Sequence, residues 1–318
     1  MRFLILGANG QLGRELTVAL SALGEVLTAT RDGRAAPGQT ALAADLAHPE
    51  QLVDVLRRAR PDVVANAAAY TAVDRAEEEP ELARLVNAEA PGVLAAEAAR
   101  AGALLVHYST DYVFGGAPAS VPAGRPARPW RETDPTAPVN VYGRTKRDGE
   151  EAVRAAGGPH LVFRTSWVYA GHGHNFLRTM LRLGAERDEL RIVDDQTGAP
   201  TWARPLALAT AAVLARLGTA APPAEALADH GGTYHLAAGG ETTWHGFAVE
   251  IFRLAANHGL IPRAPTVIPI TTAEFGAPAP RPPYSVLDCA RAEQTFGVRL
   301  PEWSRSLAAC LADLAASS

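Results

Sequence analysis

Arg2-Phe3-Leu4-Ile5-Leu6-Gly7-Ala8-Asn9-Gly10-Gln11-Leu12-Gly13 places a short apolar run directly before three glycines spaced GxxGxxG. Residues 11–23 then carry helical spacing, so the stretch reads as strand, tight turn and helix N-terminus. Glycine suits such a turn because the backbone must bend sharply and lie close to whatever occupies it. A helix N-terminus adds free N–H groups and a partial positive charge, a ready site for a pyrophosphate. Gly7, Gly10, Gln11, Leu12 and Gly13 are therefore candidate dinucleotide-binding residues.

Downstream the same alternation recurs. Runs at Glu25–Thr30, Asp62–Asn66, Ala103–Tyr108 and Leu161–Arg164 read as strands, and residues 49–59, 80–101 and 140–156 read as helices. Near-continuous apolar strands separated by helices predict a parallel sheet covered on both faces. Right-handed crossovers make it a doubly wound α/β (Rossmann) sheet, expected over residues 1–165. Gly115–Pro138, rich in Pro, Gly and Ala, reads as a long surface loop. The texture changes after residue 165, where Asn175–Ala185, Leu190–Asp195, Arg204–Leu217, Thr243–Asn257 and Trp303–Ala316 predict a smaller C-terminal α/β lobe. That lobe, 166–318, is expected to bind substrate, with some chain returning to the first domain.

Composition narrows the function. The net charge of −4 comes with no basic block, which argues against a nucleic-acid partner. No apolar stretch approaches membrane-span length, and Met1-Arg2 runs straight into the first strand without a signal-peptide pattern. Cys289 and Cys310 make neither a disulfide framework nor a metal site. A cytoplasmic protein is expected.

The end of the second strand discriminates between dinucleotides, an acidic residue favouring a ribose hydroxyl and Arg a 2′-phosphate. Thr28-Ala29-Thr30-Arg31-Asp32 carries Arg31, which favours NADP(H), while Asp32 beside it leaves NAD(H) open. Asp45-Leu46 and the small residues after the third strand, Asn66-Ala67-Ala68-Ala69-Tyr70-Thr71, fall where the crevice is expected.

Tyr142 and Lys146 form a YxxxK pair at a helix start, and i, i+4 spacing puts both on one face. A tyrosine serves as general acid near neutrality once its ordinary pKa near 10 is lowered, which a nearby ammonium does. Tyr108-Ser109-Thr110-Asp111-Tyr112 closes the fourth strand. A hydroxyl there can polarise a substrate carbonyl, with Thr110 favoured and Ser109 in reserve.

Taken together, these motifs resemble the extended short-chain dehydrogenase/reductases and, within them, the dTDP-4-dehydrorhamnose reductase family. The likeness covers nearly the whole chain, through GANGQLG at 7–13, RPDVVANAAAYTAVDRAE at 60–77, HYSTDYVF at 107–114, APVNVYGRTK at 137–146, FRTSWVYAG at 163–171, NFLRTMLRL at 175–183 and DDQTGAPT at 194–201. It implies reduction of the C4 keto group of a dTDP-linked 4-keto-6-deoxysugar by a monomer or homodimer. Tyr142 would donate the proton, Lys146 would bind the nicotinamide ribose, and Thr110 would bind the carbonyl. Gly10, Gln11 and Leu12 would hold the pyrophosphate, with Asp45 and Leu46 near the adenine. Ala69, Tyr70, Thr71 and Tyr108 would line the dinucleotide, and Thr110, Asp111 and Trp167 would contact the sugar nucleotide. Thr30 stands where many members are acidic, which again favours NADPH, and Tyr70 replaces a common histidine. Glu15 and Glu189 resemble remnants of a metal-bridged dimer contact, but no metal is expected. Two other functions fit these motifs: a ketoreductase for a different dTDP-4-keto sugar, and a non-catalytic dinucleotide-binding regulatory subunit.

Overall fold

Strand β1 (Arg2–Leu6) shows why the chain begins as it does. Phe3 and Ile5 point into one core and Leu4 and Leu6 into another, all four fully buried. Only a strand covered on both faces needs apolar side chains at every position. The computed structural model describes residues 1–34, 40–115, 128–218, 227 and 230–317.

From β1 the chain runs through helix α1 (Gln11–Ser21), β2 (Glu25–Thr30), the short β3 (Leu42–Ala43), α2 (Pro49–Ala59) and β4 (Val63–Asn66). Two short helices, α3 (Val73–Glu78) and α4 (Pro80–Arg84), precede a π-helical turn at Leu85–Glu89 and then α5 (Ala90–Ala101). Strand β5 (Leu104–Thr110), α6 (Val141–Ala155) and β6 (His160–Thr165) follow. The helix expected over 80–101 is thus continuous, with a π-turn widening it at 85–89. The turn has a use: Asn87 within it holds the Tyr70 backbone at both N–H (2.9 Å) and C=O (3.0 Å).

All pairings in the main sheet are parallel, in the order β11-β6-β5-β4-β1-β2-β3, where β11 is Gly232–His235. Chain direction reverses across the sheet between β1 and β4, which opens a crevice at their carboxyl ends. α1 packs on one face together with α8 (Ala203–Leu217), while α2 and α5 cover the other. The sequence pattern grouped 204–217 with the smaller lobe. The structure instead packs its Leu206, Ala207 and Leu214 into the α1 core, because an apolar helix stripe is satisfied by any nearby apolar face.

A separate core gathers α7 (Phe176–Glu186), the helices Trp244–Asn257 and Trp303–Ala316, and the parallel pair β8 (Glu189–Val193) with Thr266–Ile270. Residues 116–127 of the expected surface loop lie outside the described residues. Its later part departs from that expectation: Trp130 is 3% exposed, stacks on Phe114 (4.6 Å, 6° between planes) and bridges to Leu287. Pro- and Gly-rich composition marked an irregular backbone but did not reveal the tryptophan anchoring it.

Candidate active site

A cavity of about 960 Å³ opens over the carboxyl ends of β1, β2, β4 and β5. At one end stands the glycine turn. Gly7 adopts φ +76°, and a Cβ there would come within 2.9 Å of Ala68. Gly10, the residue before α1, offers no side-chain cap, so the first-turn N–H groups remain open toward the cavity. A glycine cradle and an uncapped helix N-terminus fit a pyrophosphate. Gly13 does not reach this surface. Its Cβ would lie 2.1 Å from the Gly7 carbonyl oxygen, so its smallness serves the contact between helix and turn.

Thr30, Arg31, Asp45 and Leu46 line the adjoining end. The Thr30 hydroxyl is buried and donates to the Arg34 carbonyl (3.0 Å), leaving it little part in ligand binding. Asp32 accepts from the Arg34 backbone N–H (3.1 Å). Among the described residues no such partner holds the Arg31 side chain, which fits a 2′-phosphate beside it.

Ala69 and Thr71 also line the cavity, with Ala67 and Ala68. Tyr70 does not. Asn87 engages its backbone, and its hydroxyl donates to Glu79 (2.6 Å), an acceptor carried 9 residues further along the chain. Burial raises its hydroxyl pKa above the ordinary value, and Glu79 adds to that.

The reacting end is built from α6 and β5. Asn140 caps α6, its Oδ1 accepting from Gly143 N (2.7 Å), and the cap sets Tyr142 and Lys146 on the first turns. Gly143 is obligatory in that packing, since a Cβ would lie 2.2 Å from the Tyr112 carbonyl. Tyr108, Thr110, Asp111, Tyr142 and Lys146 all line the cavity. Tyr108 contributes with its hydroxyl turned away, paired with Thr210 (2.8 Å). Ser109, the reserve hydroxyl, donates instead to Glu150 (2.5 Å), itself ion-paired with Arg164 below the site. Thr110 Oγ1 accepts from Tyr112 N (3.2 Å) and donates to Asp111 Oδ1 (3.0 Å).

Burial pushes Tyr142 up to about 12; the Thr110 hydroxyl draws it back, and Asp111 raises it further. Its resting form near neutrality is the protonated one; the lowering expected from the Lys146 ammonium is not found, because burial dominates and the lysine is directed elsewhere. Lys146 is only 2% exposed and is not directed at Tyr142 here: Nζ donates to the Tyr108 carbonyl (2.7 Å) and lies 3.3 Å from His107 Nε2. Burial lowers it to about 8, with Glu150 opposing. Burial likewise pushes Asp111 up to about 7, against the pull of the Ser285 and Thr110 hydroxyls.

Trp167 adopts φ +46°, a left-handed conformation that costs a non-glycine residue about 1–3 kcal/mol. Packing holds it there: the indole lies flat on Trp244 (3.6 Å, 5°) and over Gly198, where any Cβ would come within 2.5 Å of the ring. Trp244, Arg281, His107 and His174 were not singled out from the sequence. Trp244 and Arg281 reach the cavity from 77 and 114 residues beyond Trp167, and no local pattern signals either. The Arg281 guanidinium is tied to Asp74 (2.8 Å) and to the Ala279 carbonyl (2.8 Å).

Glu15 does not line the cavity, and among the described residues no group of carboxylates, histidines and cysteines that could hold a metal includes it. It accepts from His172 (3.2 Å) and Arg204 (3.2 Å), and the His172 contact foremost holds its carboxyl below the usual value. Glu189 starts β8, in the smaller lobe.

Comparison with known proteins agrees with this geometry. A family model described as the RmlD substrate binding domain matches residues 1–316. A dTDP-4-dehydrorhamnose reductase of Burkholderia thailandensis is 48% identical over 316 residues, covering 99% of both chains. One from Escherichia coli K12 is 43% identical, covering 95% of this chain and 94% of the relative. Among solved structures, a Bacillus anthracis dTDP-4-dehydrorhamnose reductase in complex with NADP superposes with TM-score 0.82 at 33% identity, covering 98% and 99% of the two chains. No helix among the described residues is long and apolar enough to cross a membrane. A seven-stranded parallel sheet with its crevice over the glycine turn, a Tyr-Lys-Thr cluster at one end of it and relatives alike over their full length place this chain in the RmlD family, the dTDP-4-dehydrorhamnose reductases.

Proposed function

We propose that this chain reduces the C4 keto group of dTDP-4-dehydro-L-rhamnose to give dTDP-L-rhamnose. The observation that carries the reading is the convergence of Tyr142, Thr110 and Lys146 on one cavity whose far end is the glycine turn. Gly7, Gly10, Gln11, Leu12 and Arg31 would hold a reduced nicotinamide dinucleotide along that cavity, which would supply hydride for the carbonyl carbon. Tyr142 donates the proton to the carbonyl oxygen as charge develops there. Thr110 stabilises the same oxygen by hydrogen bonding, a contribution that grows as the oxygen becomes negative. Lys146 holds the ribose and supplies positive charge beneath the tyrosine.

Residues 1–165 hold the dinucleotide in this reading. Segments beyond 165 supply the sugar-nucleotide side through Trp167, Trp244 and Arg281, while β11 and α8 return to the main sheet. The amphipathic indole pair suits a sugar face or base plane. The free thiols of Cys289, half-buried, and Cys310, buried, are consistent with a cytoplasmic enzyme, since a reducing compartment keeps thiols unpaired.

Product identification tests the reading. Incubation with dTDP-4-dehydro-L-rhamnose and NADPH is expected to yield dTDP-L-rhamnose by NMR with matching NADPH oxidation. A different C4 epimer, or no turnover, would overturn it. Two variants probe the ends of the cavity. Arg31→Ala is expected to raise KM for NADPH roughly tenfold, equivalent to about 1.4 kcal/mol, and to leave KM for NADH nearly unchanged. Trp244→Ala is expected to raise KM for the sugar nucleotide about tenfold, the loss of one stacked ring and its burial, without changing KM for NADPH.

A further inference from the structure

His107 lies beneath the site with no exposed surface, and both its ring nitrogens face nitrogen atoms. Nδ1 is 3.1 Å from Asn66 Nδ2, and Nε2 is 3.3 Å from Lys146 Nζ. The Asn66 amide has only one orientation, because the Ala68 backbone N–H must find an acceptor and takes Asn66 Oδ1 (3.2 Å). Asn66 Nδ2 therefore donates to His107 Nδ1. Burial, and then the Lys146 charge, hold the imidazole neutral by lowering its pKa well below the ordinary value. A neutral ring with Nδ1 accepting carries its single proton on Nε2. That N–H points at Lys146.

We infer that His107 is a positioning residue for Lys146, turned by the Asn66 amide so that its protonated Nε2 faces the lysine Nζ and opposes the ammonium form. An amine lone pair accepts from Nε2–H; an ammonium has nothing to accept with and meets the N–H dipole positive end first. The Tyr108 carbonyl accepts from either form, so it fixes where Nζ sits without choosing its charge. The other groups around Lys146 are accounted for. Glu150, one turn on, favours the ammonium but is engaged by Arg164 from β6 and by Ser109 from β5. Tyr142, one turn earlier, is protonated, and Asp111 acts on Tyr142. His107 is thus the contact through which β4 and β5 add to the effect of burial on the lysine's proton affinity, and with it the pH at which turnover fails.

The consequence for activity rests on the reductase reading, whereas the ring tautomer is measured without turnover, so the two can fail separately. In protein labelled with 15N-histidine, NMR is expected to show His107 neutral, with the proton on Nε2, between pH 6 and pH 9. Protonation on Nδ1, or on both nitrogens, would overturn the inference. Asn66→Asp replaces the donor to Nδ1 with a carboxylate, which moves the ring proton to Nδ1 and leaves Nε2 free to accept from the ammonium. His107→Gln can likewise present its amide oxygen to Nζ. In each folded variant the basic limb of kcat/KM against pH is expected to move upward by about one unit, a tenfold gain in proton affinity. A limb that stays in place or moves downward overturns the inference even where turnover falls. So does a limb that rises while the Asn66→Asp ring keeps its proton on Nε2, because water admitted by lost packing raises the limb by itself.

Discussion

Tyr142→Phe is expected to lower kcat roughly a thousandfold while KM for NADPH stays within a factor of about two. The substitution removes one oxygen from a half-buried side chain and keeps the ring, including its edge-on contact with Tyr112 (5.7 Å, 73°). Helix α6 is capped by Asn140, not by the tyrosine, so the backbone is unaffected. What disappears is the proton. Lys146 cannot replace it from its observed position, because Nζ is directed at the Tyr108 carbonyl and His107. Single-turnover NADPH oxidation together with dinucleotide binding by fluorescence would measure the two quantities apart. Near-normal kcat would exclude Tyr142 as the acid.

Thr110→Val is the second large effect, with an expected loss of about a hundredfold in kcat and a small cost in stability. Valine matches threonine in shape, so the change isolates the hydroxyl. That oxygen does three things here. It accepts from Tyr112 N and so caps the turn Asp111–Val113; it donates to Asp111; and it draws the Tyr142 pKa down. Loss of the cap costs on the order of 1 kcal/mol, seen as a lower Tm. Loss of an oxyanion donor costs at least about 2.7 kcal/mol in the barrier. Thr110→Ser restores the hydroxyl and is expected to recover most of the rate. If valine and serine variants lose equal activity, the role lies in packing and not in hydrogen bonding. Without Thr110 to draw it down, Tyr142 is expected to titrate higher still, and Asp111, which loses the same hydroxyl, is expected to titrate above its value of about 7.

Both effects arise from residues that local patterns make visible. YxxxK declares itself because four residues is one helical turn, and Thr110 because a hydroxyl run closing an apolar strand stands out. The glycine turn is visible for the same kind of reason, since strand, turn and helix are contiguous. Gly13 and Tyr70 mark the limit of that reasoning: one glycine in three serves helix packing, and Tyr70 is turned away by an asparagine 17 residues later.

By itself the sequence determined the alternating architecture, the glycine turn and the Tyr142–Lys146 pairing, because each depends on neighbours within a helical turn or a strand, and it offered Thr110 as a candidate hydroxyl at a strand end. Tertiary structure alone decided the rest. Trp244 and Arg281 join the cavity across more than seventy residues of chain, and Trp130 turns part of an irregular segment into core. The place of the Lys146 amine is likewise decided by Tyr108 and His107 of β5, through contacts whose partners are 38 and 39 residues apart. Burial pushes Tyr142 up and Lys146 down, and burial is a property of the folded packing, which no spacing of residues along the chain contains.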